Sequence, residues 1–139
     1  MKFVFRLFLT LHVFLYRLTG GRLGSGSGEF MILLLTTVGR KSGQARTWPL
    51  GAFQDGANYV VIASNGGQAN HPAWFHNLQS NPNVTLQVKD QQLNARAEVV
   101  GPERRTALWK RLLQLAPSYE RYTHSTTREI PLVLLKPIA

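Results

Sequence analysis

A short basic turn between two strand-like runs carries the side chains best suited to bind an anion. Residues 39–43 read Gly-Arg-Lys-Ser-Gly, and a third cation, Arg46, follows closely. Glycine at both ends lets the backbone reverse tightly, which presents Arg40, Lys41 and Ser42 at one spot beside the sheet. Phosphates and carboxylates bind where cations and backbone N–H groups converge in this way. An exposed turn with solvated charges has the same pattern, so both interpretations stay open.

Two later segments offer further ligand contacts. Residues 63–67 read Ala-Ser-Asn-Gly-Gly after a strand-like run, where glycine lets a ligand approach the backbone and Ser64 offers a hydroxyl. His71 stands near a predicted helix start and is able to donate to an anion. Trp74 and Leu78, four positions apart, give that helix an apolar face that is also typical of ordinary core packing.

A third later segment contains a pair of tyrosines. The sequence as a whole has no recognisable set of catalytic residues. Tyr119 and Tyr122 share one helical face and direct two hydroxyls to one region, although core packing is the commoner fate of such pairs. The sequence has no HExxH, no G-x-S-x-G and no phosphate-binding G-x-x-x-x-G-K-[ST] motif. His71 and His76 are spaced poorly for a metal site, so none is expected. The pattern favours binding over acid–base catalysis.

The charge balance points to an anionic partner. The chain has 139 residues, with 16 Lys and Arg against 7 Asp and Glu, for a formal net charge of +9. This excess suits nucleic acid, an anionic membrane or a polyanionic small molecule. Nucleic acid is not expected, because the tryptophans lie in helix-like or hairpin contexts and not among cations on an exposed sheet. The lack of cysteine excludes disulfides and thiolate chemistry.

Hydrophobic periodicity predicts an α+β barrel that positions these segments. Alternating and buried-type runs indicate strands over 31–38, 46–53, 59–63, 84–88, 93–100 and 130–136. Proline and glycine signals indicate helices over 72–79, 101–115 and 118–125. Six strands in mostly hairpin order predict a small antiparallel barrel with inserted helices.

The N-terminus is predicted to form a separate unit, with residues 1–29 as an apolar, basic helix plus a glycine-rich linker and 30–139 as the barrel domain. The apolar run 1–18 is too short and too interrupted to span a bilayer, and it fits a signal peptide poorly. The helix is expected either to pack on the domain or to make peripheral membrane contact. The expected location is the cytoplasm, with membrane association left open.

The order of these segments resembles the deazaflavin-dependent nitroreductase family. The resemblance extends from about Leu15 to Pro137 and rests on 15–22, 34–43, 61–67, 71–78, 81–82 and 127–131. It implies a split β-barrel like that of FMN-binding pyridoxamine-phosphate-oxidase relatives. It also implies coenzyme F420, a deazaflavin with a phospholactyl-oligoglutamate tail, as hydride donor.

The resemblance further implies a role for each candidate residue. The phosphate and tail would be held by Arg40, Lys41 and Ser42, with help from Arg46. The deazaflavin would be lined by Ala63, Ser64, Asn65 and Gly66, and enclosed by His71, Trp74 and Asn77. Charge on the acceptor would be stabilised near Ser64, Tyr119 and Tyr122. Asn65 departs from the family pattern, in which lysine is frequent, and so removes one cation from the expected phosphate site.

The function expected from these implications is a reductase. It would transfer a hydride from reduced F420 to an electron-poor small molecule: a quinone, an activated enone or lactone, or a nitroaromatic. The alternatives are an FMN-dependent split-barrel oxidoreductase and a non-catalytic cofactor-binding protein. The sequence leaves the oligomeric state open.

Overall fold

The structure is a computed structural model that describes the backbone of residues 2–18, the side chains from Leu9 within that helix, and residues 29–138. Its helices are α1 (Lys2–Leu18), α2 (Ala73–Ser80), α3 (Pro102–Leu115) and α4 (Glu120–Ser125). Its strands are β1 (Met31–Val38), β2 (Ala45–Asp55), β3 (Asn58–Ile62), β4 (Asn83–Val88), β5 (Gln91–Val99) and β6 (Leu132–Pro137). Short 3-10 turns cover Asn65–Gly67 and Pro117–Tyr119.

The six strands close into an antiparallel barrel in the order β1-β2-β3-β6-β5-β4, which confirms the predicted fold class. Every predicted strand and helix is present, with ends shifted by one or two residues. The predicted helix over 118–125 is the exception, because it divides into a 3-10 turn and α4. The β2–β3 hairpin pairs Asp55 with Asn58, and Gly56 turns it at a φ of 63°. That left-handed conformation is the reason why glycine suits the turn.

Alternation along the strands builds two apolar layers. The barrel interior takes one face from all six strands, with members such as Leu35, Val61 and Leu135, and α2 closes it with Trp74, Phe75 and Leu78. The opposite face of β2, β3 and β6 forms the outer layer, which α3 covers with Leu108 and Leu112. Both faces of β3 and β6 are therefore buried, so these strands are a rigid support for the loops that follow them.

Helix α1 docks on the barrel through the hydroxyl of a fully buried tyrosine. Tyr16 Oη accepts a hydrogen bond from the Lys89 backbone N–H at 2.7 Å and donates to the Gln87 carbonyl at 3.2 Å. Burial raises the pKa of Tyr16, so its hydroxyl keeps the proton that it donates. Arg17 adds a hydrogen bond to Thr47 Oγ1 at 3.1 Å.

Within the described residues, no helix has the length and apolar character needed to cross a membrane. The predicted glycine-rich linker, residues 19–28, lies outside the described residues. The division into residues 1–29 and 30–139 stays a prediction.

Candidate active site

The basic turn is held in a tight, defined shape by its own backbone. Gly39 N–H donates to the Gln44 carbonyl, and Gly43 N–H donates to the Gly39 carbonyl, both at 2.8 Å. Gly43 has a φ of 70°. A side chain at Gly39 would lie 2.7 Å from Ser42 Oγ, which is closer than a real Cβ approaches. Both glycines are thus needed for the turn to present its cations, as the sequence predicts.

A buried amide fastens this turn to α2. Asn77 is 5% exposed, and its Oδ1 accepts a hydrogen bond from the Arg40 backbone N–H at 3.1 Å. Its Nδ2 donates to Thr37 Oγ1 at 3.1 Å. Asn77 is a predicted cofactor residue, and the structure places it at the site with both ends of its amide group occupied. Its immediate effect is to fix where the cations of the turn stand.

The turn opens onto a cavity of about 740 Å3, a volume typical of small-molecule sites. The predicted residues that line it are Arg40, Lys41, Ser42, Arg46 and Asn77. The lining residues that the sequence did not single out are Leu9, Thr10 and Val13 of α1, Gly39, Thr47 and Trp48 beside the turn, and Ala73 of α2. The lining therefore combines a cationic wall from the turn with a largely apolar wall from α1.

Among the described residues, no carboxylate balances the positive charges of the cationic wall. Among the residues that the structure describes, no carboxylate lies within 4.0 Å of Arg40, Lys41 or Arg46. The indole N–H of Trp48 is buried and finds no acceptor among the same residues. Buried donors without acceptors are uncommon in proteins and call for an explanation. An anionic ligand with several acceptor oxygens would balance the charge of Arg40, Lys41 and Arg46.

The loop that follows β3 has an unusual backbone. Ser64 is helical in φ and ψ, whereas Asn65, Gly66 and Gly67 all have positive φ angles of 49°, 64° and 78°. Asn65 Nδ2 donates to the Asn70 carbonyl at 2.9 Å, which ties the two ends of the loop together. Ser64 makes no side-chain cap, so its hydroxyl is not consumed by the turn that it precedes. The loop keeps open space at Gly66, where an added Cβ would meet nothing within 4 Å.

The two predicted tyrosines stand against this loop and against β2. Their ring centroids lie 5.4 Å apart in an edge-on arrangement. A Cβ added to Gly67 would lie 3.0 Å from Tyr122, and one added to Gly51 would lie 2.7 Å from Tyr119 Oη. Both glycines therefore permit the aromatic side chains to approach the backbone closely. Tyr119 and Tyr122 are thus brought together, and Tyr122 lies against the loop that begins at Ser64.

The Tyr119 hydroxyl stays protonated at neutral pH. Burial, with a smaller contribution from Tyr122, raises its pKa to about 12. A tyrosine in this state stays neutral up to strongly alkaline pH, so it can donate a hydrogen bond to a developing negative charge.

Six predicted cofactor residues do not line the cavity: Ala63, Ser64, Asn65 and Gly66 in the segment after β3, together with Trp74 and His71. Trp74 is 3% exposed and packs in the barrel interior, so its contribution to the site comes through packing beneath α2. The apolar periodicity that it shares with Leu78 is explained by this core role. His71 lies at the start of α2 with its ring centroid 4.8 Å from that of Phe75. Burial, followed by the charge of Arg128 and by His76, lowers the pKa of His71, which favours the neutral ring.

Strand β2 passes both the basic turn and the tyrosine pair. Arg46 lies beside the basic turn, and Gly51 lies under Tyr119, five positions further along the strand. An extended strand covers roughly 17 Å over that distance. Residues five positions apart on a strand point to opposite faces, so the basic turn and Tyr119 lie on different sides of β2. Alternation along β2 could have indicated Trp48 as a lining residue, whereas nothing local marks Leu9 or Val13.

The comparisons with known proteins agree with this geometry. A profile of the family described as F420H(2)-dependent quinone reductase matches residues 8–137. A quinone reductase of that description from Mycobacterium tuberculosis is 38% identical over 133 residues, which cover 91% of this chain and 88% of the relative.

Two solved structures extend the comparison to the fold. A chain described as an F420-H2 dependent reductase superposes with a TM-score of 0.69 at 36% identity, covering 76% of this chain and 93% of that chain. A second, described as a domain-swapped dimer, superposes with a TM-score of 0.73 at 31% identity, covering 97% of this chain and 98% of that chain. The chain belongs to the F420H(2)-dependent quinone reductase family, which confirms the predicted reductase class and the predicted deazaflavin cofactor.

Proposed function

We propose that this protein transfers a hydride from reduced F420 to a quinone, with the cofactor's anionic part on the basic turn. The observation that carries the proposal is the cavity in which Arg40, Lys41 and Arg46, without carboxylate partners among the described residues, face the apolar side chains of α1. The cationic side chains suit the polyanionic tail of the cofactor.

The residues present fit this cofactor. A phosphate and several glutamate carboxylates need cations and hydrogen-bond donors, and the turn supplies guanidinium, ammonium, hydroxyl and backbone N–H groups at one place. Asn77 contributes by holding the Arg40 backbone in position.

The loop after β3 and the two tyrosines form the reacting end of the proposed site. Reduced F420 supplies a hydride when bound, so the protein needs to position its partners and stabilise charge. Tyr119, neutral because of its raised pKa, donates a hydrogen bond to an acceptor oxygen that gains negative charge. Tyr122 packs on Gly67 and thereby forms the side of the pocket nearest the loop. The aromatic rings exclude water from this end.

The acceptor class follows from the apolar wall and from the relatives. Leu9 and Val13 line the cavity from α1, and Phe30 packs edge-on to Tyr119 with ring centroids 5.7 Å apart. A flat, apolar quinone suits such surroundings better than a charged substrate does. The family relatives carry the name quinone reductase, and this supports the same choice.

The proposed activity is tested by binding and by turnover. The full chain is titrated with oxidised F420 and, separately, with FMN. The reduced form of F420 is then mixed with a water-soluble quinone and with an activated enone, and its reoxidation is followed by absorbance. We expect F420 to bind more tightly than FMN, and the quinone to be reduced faster than the enone. Tight F420 binding without turnover of either acceptor would instead identify a cofactor-binding protein.

We also propose that α1 contacts an anionic membrane surface, from which a membrane-soluble quinone would reach the site. Leu11, Phe14 and Leu18 form an exposed stripe at 53%, 58% and 70% exposure, on the helix that forms one wall of the cavity. Their spacing places them on one face of the helix. Cations of the basic turn border the same helix across the cavity, which complements anionic headgroups.

Vesicle sedimentation tests this contact with a matched control. Leu11→Glu with Phe14→Glu is expected to abolish co-sedimentation with vesicles that contain phosphatidylglycerol. Val99→Glu with Ile138→Glu replaces two other exposed apolar side chains, at 42% and 54% exposure, and should leave it unchanged. Equal loss in both variants, or a stripe that instead supports a dimer in the absence of vesicles, contradicts the proposal.

A further inference from the structure

One arginine near the C-terminus, Arg128, holds the loop after β3 through its backbone carbonyls. Its Nη2 donates to the Ser64 carbonyl at 2.7 Å, its Nη1 to the Ala63 carbonyl at 3.2 Å and its Nε to the Gln68 carbonyl at 2.9 Å. The guanidinium therefore spans both ends of the loop that contains the positive-φ residues. Among the described residues it has no carboxylate within 4.0 Å, so its charge is directed to carbonyl oxygens.

The same guanidinium contacts the ring of His71. Arg128 Nη1 lies 2.9 Å from His71 Nδ1. Arginine has no acceptor and keeps its proton, so the histidine nitrogen must accept this hydrogen bond. His71 is consequently neutral, with its proton on Nε2. The lowered pKa of His71 agrees with this assignment, since burial, followed by the charges of Arg128 and His76, opposes protonation of the ring.

We propose that Arg128 is a positioning residue of the cofactor site, which sets the shape of the loop after β3 and the tautomer of His71. The proposal rests on the proposed function, because the loop and His71 matter only if a cofactor lies against them. A planar fork that reaches three carbonyls and one ring nitrogen fixes their relative directions. A left-handed residue after a helical one turns successive N–H groups to a common side, suited to an electron-rich ligand edge. The Gly67 and Gln68 N–H groups are used within the turn, so the N–H groups nearer Ser64, whose carbonyl Arg128 holds, are the ones proposed to meet the ligand, together with His71 Nε2–H.

Lysine is the informative replacement. Arg128→Lys keeps the positive charge but supplies a single flexible ammonium, which cannot reach all four partners at once. Arg105→Lys is the matched control. Arg105 also donates to a carbonyl of the C-terminal segment, that of Ile130, through Nε at 3.3 Å and Nη2 at 2.8 Å, but it contacts no part of the loop.

Two readouts are used on the full chain. The first is the His71 tautomer in the free protein, from long-range proton–nitrogen NMR. The second is the Kd for oxidised F420, from fluorescence titration. We expect wild-type His71 to carry its proton on Nε2, and Arg128→Lys to give a mixture of tautomers. We expect the Kd to rise at least tenfold in Arg128→Lys and to stay within threefold in Arg105→Lys.

The outcomes separate this proposal from the proposed function. A wild-type His71 with its proton on Nδ1, or a Kd equally affected in both variants, overturns the positioning role. A wild-type chain that does not bind F420 refutes the proposed function instead. The NMR measurement still decides in that case whether Arg128 sets the His71 tautomer, and it needs no variant to give a contradicting result.

Discussion

Removal of the two cations at the tip of the basic turn tests the anion site directly. Arg40 and Lys41 are exposed, and among the described residues neither has an ion-pair partner, so Arg40→Ala with Lys41→Ala should leave the barrel folded. The bond from the Arg40 backbone to Asn77 is kept, because it does not involve the arginine side chain. Each cation contributes one charge-assisted contact, worth about 1 kcal/mol at an exposed and screened position. The double variant should therefore bind oxidised F420 weaker by about 2 kcal/mol, roughly 30-fold in Kd.

The assay is a fluorescence titration at low and at high salt, with a variant of equal charge as control. Lys110→Ala with Arg121→Ala also removes two exposed cations, so both variants lower the formal net charge from +9 to +7. We expect the control Kd to stay within about threefold of wild type, and the difference between the variants to shrink at high salt. Hydride transfer at saturating cofactor should change little. Equal weakening in both variants would refute the reasoning, since it would mean that the overall field, and not the turn, attracts the cofactor.

Three further predictions concern the loop and the tyrosines. Tyr122→Phe should change turnover or acceptor preference but spare the Kd for F420, as steady-state kinetics and titration will show; the reverse result places Tyr122 on the cofactor side. Gly67→Ala should cost roughly 1–3 kcal/mol more in urea unfolding than Gly66→Ala, because both have positive φ but only at Gly67 would the added Cβ collide with Ser125 and crowd Tyr122. Tyr119→Phe should make the free energy of unfolding less dependent on pH in the alkaline range. A folded-state pKa of about 12, above the usual 10.0, stabilises the fold below pH 10 and loses that contribution, up to about 3 kcal/mol, as the pH rises to 12. Parallel unfolding curves for wild type and Tyr119→Phe between pH 9 and 12 would contradict this.

The barrel could be predicted because its signals are local. The run 31–38 is bounded by a glycine turn, and its predicted ends match those of β1. The basic turn could be predicted for the same reason, since glycine spacing and charge are visible within a few residues. Trp74 shows where periodicity stops being informative. An apolar helical face looks the same in the sequence whether it closes a barrel interior or a ligand pocket, and only the packing of α2 separates the two.

Several contacts around the candidate site join distant parts of the chain, so no local sequence pattern predicts them. Arg128 meets the Ser64 carbonyl across 64 positions of sequence, and Tyr16 meets Gln87 across 71. The lining from α1 depends on where that helix docks, which in turn depends on a buried hydroxyl finding two backbone partners. In the sequence, the residues that make such contacts look like ordinary surface or core residues, because their partners are identified only once the chain is folded.

The docking of α1 through Tyr16 makes the affinity of any ligand in the cavity depend on an element at the far end of the chain from β6. Because α1 supplies one wall of the cavity, any molecule held between that wall and the basic turn must strengthen the attachment of the helix by the same free energy that the attached helix adds to binding. Helix release and ligand release are thus two sides of one equilibrium. Amide hydrogens of α1 should exchange with solvent more slowly as the cavity fills, so the helix reports occupancy from outside the barrel.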